Sequence, residues 1–318
     1  MIIISSLLLL IGFSALIFGA NWLVDGASSL ARQNKISDLA IGLTIVAFGT
    51  SAPELIVNSV ASYNGHSDIV LGNIIGSNNF NLFIILGIAG LVYPITIQSS
   101  TAWREIPISL LITLLFLVLA NDFFSTATSI ISRLDGIILF TCFLSFLYYV
   151  SRKMKLEESE DRSYQKKTNY KIWGLIILGL TCLLIGGKLV VDNGVVIATE
   201  LGVGQKIIGL TIIATGTSLP ELVTSVIAAI KRKSDIAIGN VIGSNIFNIL
   251  FILPISVFIN PIQFNINFNT DIFILISGTV FLIIAMLTGR KRKIDRWEAL
   301  ILLSFYLLYT GFLVWKEL

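Results

Sequence analysis

The chain has 318 residues, of which 55% are hydrophobic and only 13% charged, with a mean hydropathy of +0.89. Soluble domains carry about 25% charged residues, so this composition excludes a soluble globular protein and puts the chain in the membrane class. The net charge of +3 is small, and the basic residues flank apolar stretches, which argues for topology signals and against a nucleic-acid surface.

Apolar stretches of about 20 residues predict ten spans. They run over 2–24, 38–62, 68–92, 105–120, 134–150, 172–193, 206–230, 236–259, 271–288 and 297–315. The first has no basic residue before it, and Arg32 and Lys35 follow it. It reads as a retained first helix with its N-terminus outside, because a cleaved signal peptide would have a positive n-region and a small-residue cleavage site. The second span holds Gly49-Thr50-Ser51-Ala52-Pro53-Glu54-Leu55, a glutamate and a proline at membrane depth. The lone histidine, His66, falls in the polar turn that follows and reads as a solvated loop residue. The third span carries Asn73, Ser77 and Asn81 at i, i+4 and i+8. Pro94, Pro107 and Pro261 fall near span ends, where they are tolerated. Cys142 and Cys182 lie inside apolar spans and read as small hydrophobes, with no disulfide or metal role.

The segment 151–171 mixes seven basic residues with Glu157, Glu158, Glu160 and Asp161. It reads as a solvated linker between a first unit, 1–150, and a second, 172–318. It lacks EF-hand spacing. The seventh span repeats the motif as Gly216-Thr217-Ser218-Leu219-Pro220-Glu221-Leu222, and the eighth carries Asn240, Ser244 and Asn248.

One set of connections receives Arg32, Lys35, Arg104, the bases of 151–171, Lys231 to Lys233, and Arg290 to Lys293 with Arg296. The other receives Arg133, Lys206 and Lys316, plus Lys188 near a span end. The rich side is expected to be cytoplasmic, with both termini outside. Trp103, Trp173, Trp297 and Trp315 sit at span ends, as in an aromatic belt.

A shift of 167 residues aligns Gly19 with Gly186, Glu54 with Glu221 and Asn81 with Asn248. Between Ile41–Asn81 and Ile208–Asn248, about 24 of 41 positions are identical. Each half holds five spans, an odd number, so the second enters the membrane from the opposite side. The expected fold is all-α and integral to the membrane: ten helices as two inverted five-helix repeats, with motif regions 38–92 and 206–259.

An ionisable side chain at membrane depth costs a few kcal/mol and by default faces a cavity. On a helix, Ala47, Thr50, Ser51 and Glu54 share one face, as do Ala214, Thr217, Ser218 and Glu221. Pro53 and Pro220 leave a carbonyl without its helical partner and predict a kink. Gly72, Gly76, Gly239 and Gly243 are expected to keep backbones close. For Asn73, Asn78, Asn240 and Asn245, an interhelical hydrogen bond and an ion contact remain equally open readings. Two carboxylates, four hydroxyls, two amides and bent-out carbonyls make an all-oxygen site without His or Cys. Hard cations such as Ca²⁺ and Na⁺ prefer oxygen, whereas Zn²⁺ or Cu⁺ would want nitrogen or sulfur.

Gly-Thr-Ser-x-Pro-Glu followed by Gly-Asn-x-x-Gly-Ser-Asn, both duplicated, resembles the alpha-repeats of the sodium/calcium exchanger family within the cation/calcium antiporters. The ten-span layout is similar to the short prokaryotic members. The resemblance implies four central ion sites, with Glu54 and Glu221 as carboxylates shared by Ca²⁺ and Na⁺. It implies that Thr50 and Thr217 add carbonyl oxygens to Ca²⁺. Ala47, Ser51, Ser77, Ala214, Ser218 and Ser244 would supply flanking Na⁺ ligands, and Asn81 and Asn248 would line the middle site. Potassium-dependent relatives carry an aspartate at the place of Asn248, so K⁺ co-transport is not expected. The implied activity is Ca²⁺/Na⁺ antiport by alternating access, electrogenic, in the cell membrane. H⁺ or another cation is the alternative counter-ion and a cation channel a distant one. No enzyme activity is expected, because the polar spans hold no His–Ser or Ser–Lys pair. No cofactor is implied, the lipid bilayer is the surrounding partner, and the site requires no oligomer.

Overall fold

The computed structural model describes residues 2–96, 102–121, 129–153, 168–202, 214–288 and 293–317. Its helices are α1 (Ile2–Gln33), α2 (Asp38–Thr50), α3 (Ala52–Tyr63), α4 (Ser67–Val92), α5 (Ala102–Asn121), α6 (Arg133–Lys153), α7 (Asn169–Glu200), α8 (Leu219–Ile230), α9 (Ser234–Ile259), α10 (Asn269–Thr288) and α11 (Arg296–Glu317). Among the described residues, seven are long and apolar enough to cross a membrane, or eight if the bent pair α2 and α3 is one span. Ten spans were expected. The seventh, 206–230, begins in residues outside the described ones, and its described remainder includes the 12-residue helix α8. Helix α11 occupies the place expected for the tenth. The 151–171 linker lies mostly outside the described residues.

Two departures from plain helices matter. The helices are joined by two short antiparallel ladders: β1 (Ile95–Thr96) pairs with β4 (Lys293–Ile294), and β2 (Ile130–Ile131) pairs with β3 (Ile262–Gln263). Each ladder ties a connection from 1–150 to one from 172–318. Three helices also widen into π turns, at Gly42–Val46, Phe80–Ile85 and Asn248–Ile252. Such turns insert a residue into the helical ladder and shift the face that follows.

Helices α1 and α7 are antiparallel and touch through glycine. A Cβ on Gly12 would stand 3.0 Å from the Gly186 carbonyl, and one on Gly19 would stand 2.8 Å from the Gly179 carbonyl. Only residues without side chains let two backbones approach so closely, which is how helices pack where lipid gives no hydrophobic drive. Gly239 and Gly243 behave as expected: a Cβ on either would stand 2.8–3.1 Å from the backbone of Leu39, Gly42 or Leu43. Gly72 and Gly76 do not: among the described residues nothing comes closer than 3.8 Å to the first or 4 Å to the second.

The basic residues gather at one end. Lys231 pairs with Asp25 at 2.7 Å, Lys233 with Asp38 at 3.1 Å, and the Arg232 guanidinium lies 5.7 Å from the centre of the Tyr93 ring. Gln33 donates to Asn169 at the same end, and β1 and β4 close it. The opposite end is held by neutral groups. Asn121 and Asn269 exchange amide hydrogen bonds at 2.9 and 2.7 Å, and the Phe264 amide donates to the Ser129 carbonyl at 2.9 Å. Trp173 and Trp297 are exposed near helix starts, as a lipid-interface role requires.

Candidate cation site

Both motif helices break one residue after threonine. Ser51 leaves the helical range at φ −82°, ψ 11°, and Ser218 at φ −88°, ψ 6°. Pro53 and Pro220 then fall in the first turn of α3 and α8, where a missing N–H costs nothing. The axes of α2 and α3 differ by 48°. Each break starts a new helix, so Glu54 and Glu221 sit in first turns, at the positive end of a helix dipole. Both glutamates are 1% exposed.

Each glutamate takes its shortest hydroxyl bond from the other motif, and Glu221 Oε1 also has Ser244 Oγ at 3.5 Å. Ser51 Oγ donates to Glu221 Oε1 at 2.8 Å, and Ser218 Oγ donates to Glu54 Oε1 at 3.2 Å. Ser244 lies 3.0 Å from Ser51, and Ser77 lies 3.2 Å from Ser218. The four serines and two glutamates thus form two matching clusters, Ser51–Ser244–Glu221 and Ser77–Ser218–Glu54. One turn further along α4 and α9 stand Asn81 and Asn248. Asn81 Nδ2 donates to Asn245 Oδ1 at 3.1 Å, and Asn248 Nδ2 donates to Asn78 Oδ1 at 2.8 Å. The side chains of Asn78 and Asn245 also donate to each other's backbone carbonyl, at 3.4 and 3.2 Å. For Asn78 and Asn245 the open choice therefore resolves to interhelical bonding.

The donors are spent and the acceptors are left over. Glu54 Oε2, Glu221 Oε2, Asn81 Oδ1 and Asn248 Oδ1 are buried and have no hydrogen-bond partner among the described residues. A buried acceptor without a donor costs about 1–3 kcal/mol, more if charged. Four in one cluster, all oxygen, fit a hard cation as substrate. No lysine or arginine among the described residues pairs with either glutamate.

Two expected ligands stand differently. The Ala47 carbonyl already accepts from the Ser51 amide at 3.0 Å, and Thr50 Oγ1, whose one proton goes to the closer Asn240 Oδ1, stands 3.3 Å from it. Ala214 opens a single turn before Thr217, and its side chain lies outside the described residues. Thr50 and Thr217 face the second amide pair: Thr50 Oγ1 donates to Asn240 Oδ1 at 3.1 Å, and Asn73 Nδ2 donates to Thr217 Oγ1 at 3.4 Å. Reading the sequence missed Asn58 and Ser225, which hold those amides. Their position one turn after each glutamate was the available signal. It also missed two acids away from the site. Glu105 is buried and accepts from Tyr149 at 2.6 Å, and Asp271 accepts from Tyr309 at 2.7 Å.

The sequence model of the family described as "Sodium/calcium exchanger protein" matches residues 4–152 and 171–315. The sodium/calcium exchanger MaX1 of Methanosarcina acetivorans is 34% identical over 347 aligned residues, covering 97% of this chain and 98% of that protein. The inner membrane protein YrbG of Escherichia coli is 33% identical, covering 98% of each. A solved structure of the sodium-calcium exchanger NCX_Mj, soaked with zero Na⁺ and Ca²⁺, superposes with a TM-score of 0.84 at 29% identity, over 98% of this chain and 100% of that one.

Proposed function

The chain belongs to the sodium/calcium exchanger protein family, and on that premise we propose that it exchanges Ca²⁺ for Na⁺ across the cell membrane by alternating access. The observation that carries this reading is the set of four partnerless buried oxygens on Glu54, Glu221, Asn81 and Asn248. Two carboxylates match the charge of one Ca²⁺, and the Ser51–Ser244 and Ser77–Ser218 hydroxyl pairs offer neutral oxygens to Na⁺ on either flank. Ca²⁺ and Na⁺ then compete for the same glutamates, which couples the two fluxes. Three Na⁺ for one Ca²⁺ would move one net charge, so the exchange is electrogenic.

We also propose ten spans as two inverted five-helix repeats, 1–150 and 172–318. Residues 167 apart make reciprocal contacts in support of it. Ser51 bonds Glu221 as Ser218 bonds Glu54, and Gly12 meets Gly186 as Gly19 meets Gly179. The basic end, including the 151–171 linker, is assigned to the cytoplasm and both termini to the outside. The site is built within one chain and requires no second copy.

The test is ⁴⁵Ca²⁺ uptake into proteoliposomes under an imposed Na⁺ gradient, and separately under an imposed pH gradient. Uptake driven by Na⁺ and steepened by a clamped membrane potential supports the reading. Uptake driven by the pH gradient alone refutes it.

A further inference from the structure

The two halves of the site repeat each other in every carboxylate and serine, yet differ one turn beyond each glutamate. Asn58 stands there in the first half and Ser225 in the second, 167 residues apart. Both are fully buried. Asn58 Nδ2 donates to the Glu54 carbonyl at 2.7 Å and to Asn73 Oδ1 at 2.6 Å. In the second half Asn240 itself reaches the carbonyl. Its Nδ2 donates to the Glu221 carbonyl at 3.3 Å and to Ser225 Oγ at 3.0 Å.

A backbone carbonyl only accepts, so it dictates which end of an amide faces it. In the first half that fixes Asn58 with its nitrogen towards the Glu54 carbonyl. The second N–H of Asn58 then obliges Asn73 to present oxygen to it, and Asn73 turns its own nitrogen to Thr217. In the second half the carbonyl fixes Asn240 directly, and its oxygen faces Thr50. The result is opposite amide polarity at two equivalent threonines. Thr50 Oγ1 donates its proton and keeps its lone pairs. Thr217 Oγ1 receives an N–H, which occupies one lone pair and sets a partial positive charge beside it.

We propose that Asn58 and Ser225 are positioning residues that make the two Na⁺ flanks unequal. This rests on the exchange reading above. Asn58, acting through Asn73, weakens Na⁺ at the Ser77–Ser218–Glu54 cluster. Ser225, by leaving Asn240 on the carbonyl, keeps the Ser51–Ser244–Glu221 cluster the stronger. The order in which Na⁺ fills the site thus follows from two residues that touch no ion.

The experiment exchanges them. N58S, S225N and the double variant N58S/S225N are purified as full chains in detergent. Competition of Na⁺ against ⁴⁵Ca²⁺ binding is measured for each, with Ca²⁺ affinity in Na⁺-free buffer as the internal control. N58S frees Asn73 to take the Glu54 carbonyl and turn its oxygen to Thr217, so the half-inhibiting Na⁺ concentration falls about threefold to tenfold, the range of one neutral hydrogen bond. S225N raises it by a similar factor. The double variant returns near wild type, and Na⁺-free Ca²⁺ affinity stays within about twofold throughout, well below one hydrogen bond. Both single variants moving in the same direction, or losing Ca²⁺ affinity, would reveal a merely structural role and overturn the inference. Wild-type competition that neither substitution alters overturns it as well while leaving the exchange reading intact. Wild-type Ca²⁺ binding indifferent to Na⁺ refutes the exchange reading itself, and this inference with it.

Discussion

Glu54→Gln and Glu221→Gln test the centre of the site. Glutamine keeps the length of the side chain and the oxygen that accepts from serine, Ser218 for position 54 and Ser51 for position 221. Its nitrogen then replaces Oε2, the oxygen without a partner. A lone pair becomes a pair of N–H donors, and one of two negative charges disappears. Two unit charges about 4 Å apart interact by about 4 kcal/mol at an effective dielectric of about 20, and Ca²⁺ carries twice that charge. Relief of the repulsion between the two glutamates offsets part of the loss. Removing one partner of a buried charge pair costs about 3–5 kcal/mol. At about 1.4 kcal/mol per decade, Ca²⁺ affinity falls by about two to three and a half orders of magnitude. The two variants should fail alike, because each loses one of the two carboxylates beside a bonded serine from the opposite motif. The assay is equilibrium ⁴⁵Ca²⁺ binding to purified protein, with thermal unfolding to confirm that each variant folds. Affinity within threefold of wild type in either folded variant would refute the central-site assignment.

Four further outcomes follow from the same structure. Calcium uptake should proceed without K⁺, since Asn248 is a neutral amide, and a strict K⁺ requirement in proteoliposomes would contradict that. Gly186→Ala should destabilise the fold by about 1–3 kcal/mol through overpacking against the Gly12 carbonyl, whereas Gly174→Ala, whose added Cβ meets nothing within 4 Å among the described residues, should be neutral or mildly stabilising; equal melting temperatures would refute the glycine contact. In a background lacking Cys142 and Cys182, a cysteine at position 64 should react with an impermeant reagent in sealed cells, and one at position 160 should not. Efflux of ⁴⁵Ca²⁺ into medium free of Ca²⁺ and Na⁺ should be at least tenfold slower than exchange, about 1.4 kcal/mol in barrier; equal rates would show that the empty site crosses freely.

Much of the site was legible because it depends on local spacing. Proline and glutamate at i and i+1 inside an apolar run announced both the break and the burial. Ser51 and Ser218 followed from i, i+3, i+4 and i+7, Ser77 and Ser244 from i, i+4 and i+8, and the duplication halved the work. Tertiary contacts and backbone irregularity were less accessible. The π turns at Phe80–Ile85 and Asn248–Ile252 take in Asn81 and Asn248, but no residue type there marks a π turn. The glycines of α1 and α7 recur every seven residues, at 12, 19 and 26 and at 179 and 186, but which faces which needs the packing. Four glycines looked alike in sequence; only Gly239 and Gly243 meet backbone in the described structure, because Gly42 and Leu43 lie opposite them. Asn58 reads as one more polar residue on the helix until the direction of its amide is known.

The charge balance of the site bears on why such a protein exchanges ions and does not leak them. The two glutamates hold a formal charge of −2, and the groups that hydrogen-bond to them are neutral hydroxyls. The cationic side chains Lys231, Arg232 and Lys233 are occupied at one end, with Asp25, Tyr93 and Asp38. Helix dipoles at α3 and α8 offer partial compensation only, typically below about 2 kcal/mol each. A change of access with both carboxylates bare would move two uncompensated charges through low dielectric, at several kcal/mol per ion. One Ca²⁺, or Na⁺ ions on the same oxygens, removes that penalty. A lysine in the site would remove it too, and with it the need for a counter-ion. On the proposed alternating-access reading, neutral donors around paired acids therefore do more than bind a cation: they favour crossing by the loaded forms. Each glutamate also takes its donor from the opposite motif, so a shift of one half disturbs both carboxylates together. On that reading, occupancy and access would be linked through the hydrogen bonds of Ser51 to Glu221 and Ser218 to Glu54.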